Sequence, residues 1–332
     1  MKPTKRAARR KRIVVVAALF LIAVFLFGVL IKAVVEIASN LPDTPSTSGS
    51  TSSSVTTTTT TKPPKKEVEI TTPLSCLGAV IYDEAADQTV YQMNADERCY
   101  PASLTKLLTA ITALKHCEES HVFTVGSERS MLLPNSSVAG LKKGNKLTLT
   151  MLLDAMLVPS GNDAAYTIAV GVARLKYGDD LTDKQAVAKF AELMNQTAEE
   201  IGTKNSHFSV PDGYYRADHY STPADLLLIA RAAMEMPAIR ASVAKPSARC
   251  LMLSGEDVTW RNTNPMIKPN SDFYMESVIG IKTGYTAEGG YCAAVAATEN
   301  GNTVYAILVG APSDEDRWLD ATVLLKAGLG EE

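Results

Sequence analysis

Three short motifs bring together side chains that could carry out serine acyl transfer. In Pro101-Ala102-Ser103-Leu104-Thr105-Lys106 a serine stands three residues before a lysine, at the start of a predicted helix. Residues i and i+3 of a helix lie one turn apart on one face, within hydrogen-bonding reach. A serine hydroxyl is a weak nucleophile until a base takes its proton. Lysine can be that base when burial or nearby cations disfavour its charged form, and a helix N-terminus adds positive potential beside the reacting centre. Ser160-Gly161-Asn162, the only Ser-x-Asn of the chain, lies between two predicted helices. Lys282-Thr283-Gly284 lies on a predicted strand, where glycine lets a ligand or another backbone approach closely.

Each motif alone has a plainer reading. A chain of this length should hold about one Ser-x-x-Lys by chance, and a second copy is present at Ser242–Lys245. Pro246 follows that copy and disfavours helical geometry at Lys245, so it reads as the accident. Ser160 and Asn162 could simply cap a helix. Lys282 and Thr283 could sit on an exposed edge strand.

The elements needed to position these motifs are legible from periodicity. Cys76–Tyr82 and Thr89–Met93 read as strands joined by a turn at Glu84–Asp87. Leu104, Leu107, Leu108, Ile111 and Leu114 recur at helical spacing behind Ser103. Helices are also predicted over Thr150–Val158, Asp163–Leu175, Asp183–Ile201 and Thr222–Met236, with Pro223 in the first turn of the last. Strands follow at Ile279–Thr286, Tyr291–Ala297 and Thr303–Val309, with Asn300-Gly301-Asn302 as a hairpin turn. A helix over Ser313–Leu329 closes the chain. Strands at both ends around a helical middle predict an α+β domain: one antiparallel sheet flanked by helices, with a helical region inserted.

Charge and composition exclude several functions. The chain has 33 Lys and Arg against 36 Asp and Glu, and seven of those cations fall within the first twelve residues. The remainder holds 26 cations against 36 acids, about −10, a poor surface for nucleic acid. The four histidines (His116, His121, His207, His219) match no metalloprotease pattern and read as solvated or packed imidazoles, so no metal or cofactor is expected. Asp212 and Asp218, near His219, read as loop carboxylates. Of the five cysteines (Cys76, Cys99, Cys117, Cys250, Cys292) an odd count leaves at least one unpaired. They read as small buried hydrophobes, with room for one bridge.

Ile13–Ile31 is an unbroken apolar run of nineteen residues, about the length needed to cross ~30 Å of hydrocarbon. With the cations before it, it predicts a single-pass anchor, a cytoplasmic N-terminus and an exported body. A cleaved signal peptide is the lesser alternative, because Glu36 interrupts the small residues a cleavage site needs. Fifteen of the eighteen residues from Thr44 to Thr61 are Ser or Thr, the composition of a disordered spacer. As a coil, Ser39–Thr72 would span roughly 30–35 Å. The expected organisation is therefore tail and anchor over 1–38, linker over 39–72 and one catalytic domain over 73–332.

Taken together and in this order, Ser-x-x-Lys, Ser-x-Asn and Lys-Thr-Gly resemble the signature set of penicillin-binding proteins and serine β-lactamases. Ser160–Ala165, Phe208–Gly213, Tyr220–Asp225 and Gly280–Thr286 extend the likeness to low-molecular-mass penicillin-binding proteins, the serine D-alanyl-D-alanine carboxypeptidases. That resemblance covers about Pro73–Pro312 and implies the DD-peptidase/β-lactamase-like fold. It also implies hydrolysis of the terminal D-Ala-D-Ala bond of peptidoglycan pentapeptide stems, with β-lactams as covalent inhibitors. By the same resemblance, Ser103 attacks the carbonyl, Lys106 takes its proton and Ser160 relays a proton to the leaving amine. Asn162 would hold the substrate's amide and the Lys106 side chain, and Lys282 and Thr283 the terminal carboxylate. Gly284 and Tyr285 complete that strand, with the N–H groups of Ser103 and Tyr285 as the oxyanion hole. Some members add a β-rich domain and a C-terminal amphipathic helix; here the N-terminal segment is expected to supply the anchor.

Two rival readings use the same motifs. One is a β-lactamase or an endopeptidase of this fold; the other is a wall-binding or sensor homologue without turnover. A class A β-lactamase needs a glutamate between Asn162 and Lys282 to position water. The candidates are Glu192, Glu199, Glu200, Glu235, Glu256 and Glu276, and none stands in a pattern resembling that glutamate's loop.

Overall fold

The computed structural model describes residues 67–331; the expected tail, anchor and most of the linker lie outside the described residues. Strands β1 (Gly78–Asp83) and β2 (Gln88–Met93) form the first hairpin. The helical middle holds α1 (Thr105–His116), α2 (Leu149–Leu157), α3 (Asn162–Tyr177), α4 (Asp183–Ile201), α5 (Pro223–Glu235) and α6 (Pro237–Val243). Two small antiparallel pairs interrupt it: β3 (Val122–Thr124) with β4 (Lys146–Thr148), and β5 (Ser247–Leu251) with β6 (Asp257–Arg261). Strands β7 (Val278–Thr286), β8 (Gly290–Glu299) and β9 (Asn302–Ala311) then precede α7 (Asp314–Leu329).

The main sheet has the antiparallel order β2-β1-β9-β8-β7, so the first and last strands of the described residues pair with each other. This is the expected α+β fold. Both faces are buried and alternate with period 2. Along β9, Val304, Ala306 and Leu308 enter one core, and Tyr305, Ile307 and Val309 the other. Helix α7 covers the first face with Trp318, Leu324 and Leu325. The helical middle covers the second, through Leu107, Leu108, Ile111 and Leu226 among others.

Local signals fix the element ends. Thr182 and Gln185 form a reciprocal capping box on α4, and Gly202 ends that helix in the left-handed region. The β8–β9 hairpin turns through Asn300 and Gly301 at φ 49° and 82°, values that suit these two residue types. The backbone of Val68 donates to Val90 O at 2.9 Å. All five cysteines are free thiols, so the allowance for one bridge is corrected; burial is the chief cause that pushes every one of their thiol pKa values up, Cys76 to about 12, Cys292 to about 11, and Cys99, Cys117 and Cys250 also upward.

Candidate active site

Ser103 does not start the α-helix; it sits one turn earlier, in a 3-10 turn over Ala102–Leu104 that runs directly into α1. Between Pro101 and Ala113 it is the one residue that is not buried. Its neighbour Ala102 has φ 48°, a left-handed conformation that costs a residue with a Cβ about 1–2 kcal/mol. Two glycines hold this turn from opposite segments. A Cβ on Gly213 would come within 1.8 Å of Ala102 O, and one on Gly284 within 3.1 Å of Ser103 N. Edge strand β7 and the loop after α4 can therefore press on the Ala102–Ser103 backbone only because neither presents a side chain there.

Lys106 follows in the first turn of α1, a helix buried from Thr105 to Ala113, and so has no exposed face to occupy. Its Nζ donates to Ser103 Oγ at 2.7 Å and to Asp212 O at 2.8 Å. Burial lowers its pKa to about 8, against the opposing pull of the Asp212 and Asp163 carboxylates. A neutral amine is thus accessible near physiological pH, next to the Ser103 hydroxyl.

Neither Ser160 nor Asn162 caps a helix with its side chain. Gly161 occupies the cap position of α3, and no side chain caps that end. Ser160 is buried at φ 64°, with no hydrogen-bond partner for its hydroxyl among the described residues. Such strain persists where surrounding structure over-determines it, and it clusters at functional sites. Asn162 donates Nδ2 to Asp212 Oδ2 at 2.8 Å, while its buried Oδ1 has no partner among the described residues. Asp163 accepts from the N–H groups of Ala139 and Leu141 at 2.8 and 2.9 Å, tying the 132–141 loop beside the motif.

Lys282 lies on an edge strand, as the plain reading of its motif had it, but at 1% exposure it is not a solvated surface lysine. Burial first, then Lys106 and Arg317, push its pKa well below the ordinary lysine value. Thr283 pairs with Thr263 through their hydroxyls at 2.6 Å. Behind the strand, Arg317 of α7 donates to Gly284 O at 3.0 Å. Tyr285 is 55% exposed and packs on Tyr291, ring centroids 4.3 Å apart.

The geometry thus joins Ser103 and Lys106 directly, Asn162 to Lys106 through Asp212, and Gly284 to the Ser103 backbone. A family model described as D-alanyl-D-alanine carboxypeptidase matches residues 59–313. This chain belongs to the D-alanyl-D-alanine carboxypeptidase family. It is 32% identical over 271 residues to a D-alanyl-D-alanine carboxypeptidase of Streptomyces sp. (strain K15), covering 78% of this chain and 89% of that protein. It is 27% identical to the carboxypeptidase DacF of Bacillus subtilis (strain 168), over 74% of this chain but only 60% of that longer relative. Among solved structures, the Streptomyces K15 DD-transpeptidase aligns with a TM-score of 0.71 at 31% identity, covering 78% of this chain and 98% of that one. Penicillin-binding protein D2 from Listeria monocytogenes, in its cefotaxime-bound form, aligns with a TM-score of 0.65 at 25% identity, covering 79% of this chain and all of that one.

A serine D-alanyl-D-alanine carboxypeptidase hydrolyses the terminal bond of peptidoglycan stem peptides, and this chain has that activity. The six glutamates between Asn162 and Lys282 are all exposed, so none is placed as a buried water-positioning base. Asp212 lies in a loop, as expected, but it is not a surface carboxylate. It is 2% exposed, accepts from Asn162, and its pKa is raised by burial; only Asp218 is exposed. The Phe208–Gly213 stretch was visible as family-like, but a Pro-Asp-Gly-Tyr sequence looks like any turn. Arg317 and Thr263 carried no local signal either.

His219 is a packed imidazole with a structural task. Its Nδ1 accepts from Ser209 N at 3.1 Å, which leaves the proton on Nε2 to donate to Thr105 Oγ1 at 2.8 Å. Burial lowers its pKa to about 3, keeping it neutral. No cluster of three or more His, Cys, Asp or Glu among the described residues is arranged to hold a metal ion.

Proposed function

We propose that Ser103 is the acylating nucleophile and Lys106 the base that activates it. One observation carries this reading: a fully buried amine of lowered pKa stands 2.7 Å from the serine oxygen. Ser103 Oγ attacks the carbonyl of the penultimate D-alanine as its proton passes to Lys106 Nζ. The N–H groups of Ser103 and Tyr285 receive the negative charge on the carbonyl oxygen. The C–N bond then breaks, the leaving D-alanine amine takes a proton through Ser160, and the peptide remains as an ester on Ser103. Water hydrolyses that ester and restores the serine.

Lys282 and Thr283 bind the terminal carboxylate. A buried lysine with one carbonyl partner, Thr283 O at 3.0 Å, gains most from an arriving anion. Penicillins present a carboxylate beside a strained amide and acylate the same serine. With the six glutamates exposed, the penicilloyl ester should persist for minutes or longer. The protein acts outside the cytoplasm, tethered by Ile13–Ile31 with its N-terminus inside the cell. The apolar length and flanking cations of that segment support this, and no helix among the described residues is long and apolar enough to cross a membrane.

Mass spectrometry of a disaccharide-pentapeptide incubated with the protein tests the reaction. Loss of one alanine is expected; nitrocefin turnover at many per second without D-alanine release would move the protein to the β-lactamases. Lys282→Ala should weaken peptides ending in a free carboxylate about ten- to a hundredfold more than amidated ones. Equal losses on both substrates would remove Lys282 from carboxylate recognition.

A further inference from the structure

Asp212 belongs to none of the three motifs, yet it touches two of them. Its Oδ2 accepts from Asn162 Nδ2 at 2.8 Å and its Oδ1 from Tyr214 N at 3.1 Å. Its main-chain carbonyl accepts from Lys106 Nζ at 2.8 Å. Burial raises the pKa of Asp212, but the Lys106 and Arg216 charges and the Tyr214 N–H favour the ionised form, and an ionised carboxylate only accepts hydrogen bonds. The amide of Asn162 must therefore turn its NH2 toward Asp212, which leaves Oδ1, buried and without a partner, free for an incoming donor.

We propose that Asp212 is a positioning residue that fixes the orientation of the Asn162 amide and supplies the counter-charge for Lys106, thereby setting the lower edge of the pH range in which Ser103 is acylated. This inference rests on the roles proposed above for Lys106 and Asn162. The carboxylate acts in two opposed ways. In the resting enzyme it favours the protonated lysine, so a higher pH is needed to free the base. In the transition state, where Lys106 is gaining the serine proton, the same charge stabilises the forming cation.

The other charged and titratable neighbours are few. Arg216, on the same loop, faces Asp212, as does Tyr166 of α3, whose phenol Asp212 helps push up. Lys106 is also faced by Asp163 of α3, and its charge acts on Lys282 of β7. Asp163 is held by three backbone N–H groups and stays in place when Asp212 is changed.

Removing the Asp212 charge should therefore move two observables in a combination that mere structural damage would not produce. The test is the rate of acylation by a fluorescent penicillin from about pH 5.5 to 10, on folded protein counted by its penicillin-binding stoichiometry. For Asp212→Asn the acidic limb should move down by about one pH unit, while the high-pH plateau falls about tenfold. Asp212→Glu keeps the charge and should leave the limb in place; Asn162→Ala should lower the plateau alone. Should Asp212→Asn fold poorly, Asp212→Ser is measured in the same way. A limb at the wild-type position in both neutral variants overturns the proposal. Near-normal acylation by Lys106→Arg would instead unseat Lys106 as the base, a separate failure.

Discussion

The chain contains Ser-x-x-Lys twice, and the two copies have become different objects. Lys106 is fully buried, and its amine donates to Ser103. At the second copy, Ser242 donates its hydroxyl to Asp154 at 2.6 Å, and Lys245 makes a 2.7 Å ion pair with the same carboxylate. That lysine is 39% exposed, and its amine is turned to Asp154 rather than to Ser242. Its serine is 2% exposed and engaged as a donor. Identical spacing thus yields a buried lysine bonded to its serine in one case, the pair proposed above as base and nucleophile, and an ion-pair latch between α2 and the end of α6 in the other. The difference is a carboxylate. Asp212 reaches Lys106 through its carbonyl and turns its charged group to Asn162, whereas Asp154 takes both residues of the second copy.

The largest effect should separate the copies outright. Ser103→Ala should abolish covalent labelling by a fluorescent penicillin, and Ser242→Ala should leave it intact; gel fluorescence reads both. Full labelling of the Ser103 variant would end the mechanism proposed above.

The lysines come next. Lys106→Arg should slow acylation by orders of magnitude because a guanidinium does not deprotonate in a protein. Lys245→Arg keeps the charge facing Asp154 and should acylate at the wild-type rate. On the mechanism proposed above, acylation of the wild type requires neutral Lys106, so the rate should rise with pH and level off above about 8, falling close to tenfold per unit below it. Stopped-flow rates across pH check both statements, and a flat profile would show that another group takes the proton.

Gly284→Ala tests the strand that presses on the first copy and has no counterpart at the second. The new Cβ would lie 3.0–3.2 Å from Ala102 Cβ, Ser103 N and Pro101 O, so these neighbours must give by a few tenths of an ångström. About 1 Å of misplacement at the reacting centre costs on the order of a hundredfold in rate, so this smaller shift should slow acylation roughly three- to tenfold. An acylation rate within twofold of wild type would mean that the turn tolerates the shift.

The smallest effect belongs to the latch. Asp154→Ala strands a buried hydroxyl and should cost about 1–3 kcal/mol, measured by urea unfolding, with penicillin labelling of Ser103 unchanged at 25 °C. Lost labelling in a still-folded variant would show that the two copies communicate.

Much of this protein was legible without a structure, because the signals are local. Leu104, Leu107, Leu108 and Ile111 mark a helix by spacing, Thr182–Gln185 a helix start, and Asn300-Gly301 a hairpin. Each is decided within about one turn or one strand pair. The order of the three motifs then selected the α+β fold and Ser103. Short elements escaped: β3 and β4 have three residues each, too few for a period to declare itself. The 3-10 turn carrying Ser103 escaped too, since its left-handed Ala102 is imposed by Gly213 and Gly284, 111 and 182 positions away in the chain.

The sequence by itself determined which residues could react; tertiary structure decided which of them do. Burial and charge are properties of surroundings, and surroundings come from distant segments. Nothing within Pro101–Lys106 says that the lysine will lose its water, and nothing within Pro211–Tyr214 says that its aspartate will be buried against Asn162. Ser242–Lys245 meets the same spacing rule and fails as a reactive pair, because Asp154, 88 residues from Ser242 in the chain, is folded against it.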